Sequence, residues 1–252
     1  MSGKKLKIAL CLSGEPRSSM FCFPYYYETF LNNNLMYETD VYIHAWKNFR
    51  ALPLYNPKKV QIDVIDQNKY LNDFFQKNGL QHLLAVKKDL EFFGNLTKNS
   101  VKIYNTLLMH TSIKRCFDLI EQPYDIIIRG RFDLIFGTKL DIIPYLLDLI
   151  HYKTSDIILP FVKYNLPQNT LPYISDQFAI GTPKAMKIYS NLIDNIVPVI
   201  ESTESIIPEV LLSQHLRNNN LRVKDVILSP ELIRGVNPII NKPILHNSFL
   251  DE

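Results

Sequence analysis

Three apolar runs along the chain stop abruptly in polar or charged residues. Lys7-Ile8-Ala9-Leu10-Cys11-Leu12 gives way to Ser13-Gly14-Glu15-Pro16-Arg17-Ser18, which reads as a buried strand running into a polar loop. Asp40-Val41-Tyr42-Ile43-His44-Ala45-Trp46 predicts a second strand, again with its polar and aromatic residues at the far end. Ile126, Ile127 and Ile128 carry no polar alternation, which suits a strand covered on both faces, and the charges then arrive together in Arg129-Gly130-Arg131-Phe132-Asp133.

Between these runs the periodicity changes. Val60 to Ile65 alternates and predicts a third strand near a sheet edge, after a loop carrying Pro53 and Pro57. Asp66 to Gly79 has Tyr70, Leu71, Phe74 and Phe75 at helical spacing and predicts a surface helix closed by Gly79. The stretch 81–99 is mixed, with a break at Gly94-Asn95. Ser100 to Gln122 is the clearest helix, with Met109, Ile113, Cys116, Phe117 and Ile120 on one face and Pro123 after it. A long amphipathic helix feeding a buried strand is half of a β–α–β unit, so the sheet is expected to be mainly parallel there.

Beyond Phe136 the pattern predicts a helix over 140–150, a short strand at Asp156–Pro160 and a long loop over 161–175. Ser175 to Gly181 follows, with Asp176 just before a short apolar stretch. A helix then starts at Thr182-Pro183 and is expected to stop at Pro198. A further helix starts at Pro208, a last strand falls at Val223–Leu228, and an extended tail rich in proline follows Ser229.

A length of 252 residues permits one large α/β domain with a substantial core, and no linker divides it. Hydrophobic content of 46% with 21% charged residues is ordinary for a globular protein, and a net charge of +3 does not point to nucleic acid. No apolar run reaches the roughly 18 to 20 residues that span a bilayer, and no secretory leader is recognisable, so a cytoplasmic location is expected. Cys11, Cys22 and Cys116 lack the spacing of zinc or redox sites and are expected as reduced thiols. No glycine-rich dinucleotide fingerprint or phosphate loop is present.

Ligands of open α/β sheets collect at the carboxyl ends of the strands, which makes the charged ends of these runs the candidate site. Gly14 would let a ligand approach the backbone, Arg17 could reach a phosphate, and Ser18 or Ser19 could cap the next helix. Each feature also has a bland counterpart. Arg131 and Asp133 could pair on a sheet rim, Arg17 could be solvated, His44 could sit half-buried beside a core tryptophan, and Glu209 could serve the helix dipole.

Taken in order, Ile8 through Gly14, Asp40 through Trp46, Tyr124 through Asp133, Ser175 through Gly181 and Pro208-Glu209-Val210-Leu211-Leu212 resemble small glycosyltransferase-like proteins of surface polysaccharide synthesis, found in bacterial capsule and lipopolysaccharide loci and in large DNA viruses. The resemblance implies a single GT-A-like (Rossmann-like) α/β/α domain over 1–252. Its first half, about 1–136, would bind a nucleoside-diphosphate sugar, and its second half, about 137–252, a glycan or glycoconjugate acceptor. The implied reaction moves a hexosyl or pentosyl unit onto an acceptor hydroxyl. The alternative is a nucleotide- or glycan-binding module that kept the fold without the catalysis.

On this resemblance Ser13, Gly14, Arg17, His44, Trp46, Arg129, Arg131 and Asp133 are donor-binding, and Asp176 and Glu209 are the catalytic or acceptor-side carboxylates. Arg129 is expected to point away from Arg131 and Asp133. Such enzymes hold Mn²⁺ or Mg²⁺ on an Asp-X-Asp motif, whereas this chain has Arg131-Phe132-Asp133. Asp133 matches the second acidic position and is the one metal candidate. Arg131 could instead supply the charge directly.

Overall fold

The computed structural model describes residues 5–32, 36–64, 66–79, 103–136, 140–162, 173–203, 205, 207–226, 230–236 and 243–245. The break at Gly94-Asn95, the first residues of the helix expected from Ser100 and most of the loop containing Pro167 and Pro172 lie outside them.

The central sheet has eight strands. β1 (Leu6–Gly14), β2 (Tyr37–Ala45), β3 (Lys59–Ile62) and β4 (Ile126–Gly130) come from the first half of the chain. β6 (Ile157–Val162), β7 (Tyr173–Ile174), β8 (Ala179–Gly181) and β9 (Val223–Val226) come from the second. Their order is β3-β2-β1-β4-β8-β6-β7, with β9 beside β6. The pairs β1–β2, β1–β4, β2–β3 and β6–β9 are parallel. β8 runs against both of its neighbours, with Arg129 opposite Ala179. The expected mainly parallel sheet is therefore present, with β8 reversed in its middle and β7 reversed beside β6. The reversal brings the start of β8, and Asp176 just before it, to the edge where β1 and β4 end.

β1 lies between β2 and β4, whose connections leave it in opposite directions. The gap at the carboxyl ends of β1 and β4 is a topological switch point, the place where open α/β sheets take ligands.

Helices cover both faces. α1 (Ser19–Tyr26), α2 (Gln67–Lys77), α3 (Ile103–Asp118), α4 (Ile143–Leu147), α5 (Pro183–Ser190), α6 (Ile196–Thr203) and α7 (Pro208–Asn218) are the α-helices among the described residues. α3 places Ile113 and Cys116 in the core, with Met109 and Phe117 packed at its border as the spacing predicts. The helix ends at Asp118, before Ile120, which packs against the core from the turn that follows. The other face is filled by Ile126, Ile128, Tyr26, Tyr55 and Phe132. Pro183 opens α5, with Thr182 Oγ accepting from the Ala185 amide at 3.3 Å.

Two sequence expectations change here. Pro198 does not stop a helix. It sits in the first turn of α6, where a missing N–H leaves no helical bond unmade. The described residues after Ser229 form strands rather than an extended tail. β10 (Pro230–Val236) pairs antiparallel with β5 (Leu134–Phe136) and with β11 (Pro243–Leu245) in a second, three-stranded sheet. The three cysteines are free and buried, and no helix among the described residues is long and apolar enough to cross a membrane.

Candidate active site at the carboxyl edge of the sheet

β4 ends at Gly130, where a buried tyrosine occupies the space that a side chain would need. A Cβ on Gly130 would come within 2.7 Å of Tyr26 Oη and 3.2 Å of Leu12 Cδ2. Tyr26 uses the room to donate its hydroxyl to the Arg131 carbonyl at 2.5 Å. The chain then turns through Arg131-Phe132-Asp133. Phe132 is buried against Phe49 and Tyr55. The Asp133 carbonyl accepts from the Ile233 amide of β10 at 2.8 Å, so the turn is fixed from both sides.

Within the turn Arg131 grips Asp133 with two parallel bonds, Nε to Oδ1 at 2.8 Å and Nη2 to Oδ2 at 3.0 Å. Asp133 is 1% exposed and the Arg131 side chain 26%. Burial works against the Arg131 charge, but Asp133, then Asp176 and Tyr26, outweigh it and raise the pKa above its ordinary value. Two of the five guanidinium N–H donors are engaged by Asp133.

Two further carboxylates meet this arginine. Asp176 reaches the edge because β8 is reversed, and Glu209 stands in the first turn of α7, after Pro208. The Glu209 carboxyl is pushed up to about 8, first by burial and then by the Asp176 carboxylate, with Arg131 opposing both. The helix-dipole account of Glu209 is thus incomplete, because a carboxyl that served only the dipole would be held in its ionised form. Arg131, Asp133, Asp176 and Glu209, widely separated in sequence, form one electrostatic cluster.

Arg129 belongs elsewhere. It is 2% exposed, and its Nη1 donates to the backbone carbonyl of Asp176 inside the protein. His110 and Tyr189 lie close enough to feel its charge, and the His110 imidazole is pushed down to about 3 by burial, then by Arg129 and His215. Arg129, expected to bind the donor, has its guanidinium in the interior on the side of α3 and α5. It does part from Arg131 and Asp133, but the cause is the end of the strand at Gly130 rather than alternation.

At the end of β1, Gly14 has φ +115, a conformation reserved largely for glycine, with open space where a Cβ would be. Ser13 and Ser18 each bury a side-chain oxygen that has no hydrogen-bond partner in the structure. Ser18 precedes α1 with a left-handed φ of 49 and makes no side-chain cap, contrary to the capping expectation. Arg17 is exposed on the same loop.

His44 and Trp46, expected to bind the donor, are both buried. His44 is fully buried, with Nδ1 2.6 Å from Ser112 Oγ and Nε2 2.8 Å from Asp63 Oδ2. Burial lowers its pKa, Asp63 opposes the shift, and Arg115 adds to it. Arg115 pairs with Asp63 and lies over the Trp46 and Tyr70 rings at 5.5 and 5.2 Å. These residues brace the end of β2 against α3, and both histidine nitrogens are already engaged. Tyr26, Tyr189 and Asp63 carried no signal in the sequence, because their importance depends on contacts between distant segments.

The residues around Asp133 do not fit a divalent cation. Both of its oxygens accept from a guanidinium, so a metal there would face a positive charge at contact distance. Among the described residues no group of three His, Cys, Asp or Glu side chains is placed to hold a metal ion.

No protein-family model matches the chain, and no curated protein sequence matches it. Among solved structures it is similar to mouse xyloside xylosyltransferase 1 in its apo form, at 9% identity and a TM-score of 0.46, covering 88% of this chain and 84% of that one. It is also similar to a Bacillus anthracis protein described as a glucose-1-phosphate thymidylyltransferase in complex with sucrose. That match has 9% identity and a TM-score of 0.44, covering 92% of this chain and 91% of the other.

Proposed function

We propose that this protein is a glycosyltransferase that moves a sugar from a nucleoside diphosphate to a hydroxyl of a glycan acceptor. The observation that carries the proposal is the meeting of Arg131, Asp133, Asp176 and Glu209 beside the switch point of the sheet.

In the proposed reaction a bond forms between the acceptor oxygen and the anomeric carbon as the bond from that carbon to the phosphate oxygen breaks. Negative charge then grows on the departing diphosphate, and Arg131 is positioned to stabilise it, with Arg17 reaching in from the β1 loop. The acceptor hydroxyl must lose a proton, which Glu209 or Asp176 takes as general base. Once ionised, a carboxylate whose pKa is about 8 is a stronger base than an ordinary one. Glu209 is therefore favoured as the base in the fraction of the protein that has lost this proton, a fraction that grows as pH rises toward 8. Asp133 holds Arg131 in place. No step passes through a metal, and the guanidinium supplies the positive charge.

Engagement of both Asp133 oxygens by Arg131 favours a second reading, a nucleotide- or glycan-binding module without turnover. A panel of UDP-, GDP- and dTDP-sugars, titrated with and without Mn²⁺, separates the two. Binding followed by sugar transfer or slow hydrolysis, unchanged by chelation, supports the transferase. Binding without either supports the module, and no binding by any donor refutes both.

A further inference from the structure

A buried arginine without a carboxylate partner is unusual, because an unpaired charge in a protein interior is expensive. Arg129 is such a residue. Its Nη1 donates to the carbonyl oxygen of Asp176, while its Nε is buried with no partner. The same carbonyl accepts a second bond, from the Tyr189 hydroxyl at 3.2 Å. Both lone pairs of one backbone oxygen are therefore filled from beneath, by β4 and α5 together. The residues on either side are fixed as well, with the Ser175 amide donating to the Pro160 carbonyl at 2.9 Å and the Gln177 amide to Ser175 Oγ at 3.2 Å. Asp176 is 5% exposed, so its carboxylate is kept from water in a place where it repels that of Glu209.

We propose that Arg129 and Tyr189 are positioning residues that clamp the Asp176 carbonyl from inside the protein and so hold the Asp176 carboxylate against Glu209. Neither side chain belongs to the cluster of Arg131, Asp133, Asp176 and Glu209, and both act through Asp176. A merely structural role would explain the burial of Arg129. It does not explain why a guanidinium and a phenol converge on the same backbone oxygen, that of a residue whose side chain belongs to the cluster. What the clamped carboxylates do in turnover rests on the transferase proposal, whereas the clamp can be tested without it.

The charged groups acting on Glu209 are Asp176, which raises its pKa, and Arg131, which lowers it. Release of the clamp lets Asp176 swing toward solvent, since two like charges separate when free to do so. The Glu209 titration should therefore move down from about 8, toward the ordinary 4.5. Carboxyl-detected NMR of the unliganded full chain would follow it in the wild type, Tyr189→Phe and Arg129→Lys. Tyr189→Phe is expected to lower the midpoint by roughly half to one unit, and Arg129→Lys by more. Folding is checked on each sample from its amide spectrum. Should Arg129→Lys fail to fold, Tyr189→Phe, which deletes a single hydroxyl, still decides the matter. A folded Tyr189→Phe protein with the wild-type midpoint overturns the proposal. Absence of sugar transfer would refute the transferase instead and leave this titration unaffected.

Discussion

The Arg131–Asp133 pair should be markedly asymmetric when either partner is removed. Asp133 is 1% exposed and has both oxygens on Arg131, whereas Arg131 keeps 26% of its side chain at the surface. Arg131→Gln thus leaves a buried carboxylate with no counter-charge, a change worth about 3–5 kcal/mol. Asp133→Asn leaves an arginine that can turn its free donors to water, at about 1–2 kcal/mol. For a chain of this length each kcal/mol shifts the melting temperature by about 2–4 °C, so Arg131→Gln should melt about 6–20 °C lower and Asp133→Asn about 2–8 °C lower. The paired replacement Arg131→Met with Asp133→Leu removes both charges and should recover most of the loss. Thermal melts of the four proteins at pH 7 and fixed salt read these differences. The reasoning fails if Arg131→Gln melts within about 2 °C of the wild type, or if Asp133→Asn proves the more damaging change.

Glu209 should make stability depend on pH in a direction opposite to most carboxylates. Its folded-state pKa is raised, so the unfolded chain ionises first, near 4.5, while the folded protein stays protonated until about 8. Stability is then full below about 4.5 and falls as pH rises toward 8. In Glu209→Gln that part of the slope should vanish in melts taken from pH 5 to 8.5, and an unchanged slope would show that Glu209 is not held neutral. Gly130→Ala should cost about 1–3 kcal/mol, because its Cβ meets Tyr26 Oη at 2.7 Å. Adding Tyr26→Phe should recover part of that loss, and strictly additive losses in denaturant titrations would rule out the contact as its cause.

Periodicity made the layers legible. The isoleucines of β4, the amphipathic face of α3 and the edge character of β3 follow from local burial patterns, and the structure has them in those places. The reversal of β8 was not legible, since three residues carry no direction of their own. Tertiary pairing with Ile127, Ile128 and Arg129 decides it. In the site, the end of β4 announced its charge as residue type, but the partner of each charge did not. Both arginines read as donor-binding in sequence, with Arg129 expected to point away, but its partner, the Asp176 backbone carbonyl, could not be read there. His44 and Trp46 read as strand-end donor contacts, yet Asp63, Ser112 and Arg115 from two other segments close over them.

The pairing of β10 with β5 has a consequence for the order of events during synthesis. Ile233 holds the carbonyl of Asp133, yet it is translated about 100 residues later, a delay of roughly 5–20 s on a ribosome. Until Pro230–Val236 emerges, the turn that presents Arg131 and Asp133 lacks the strand that pins its far side, while β1, β2 and β4 are already available to pair. The nascent chain can therefore build much of its sheet well before the turn through Arg131 and Asp133 is set. Among the described elements, the carboxyl edge of β4 is fastened among the last.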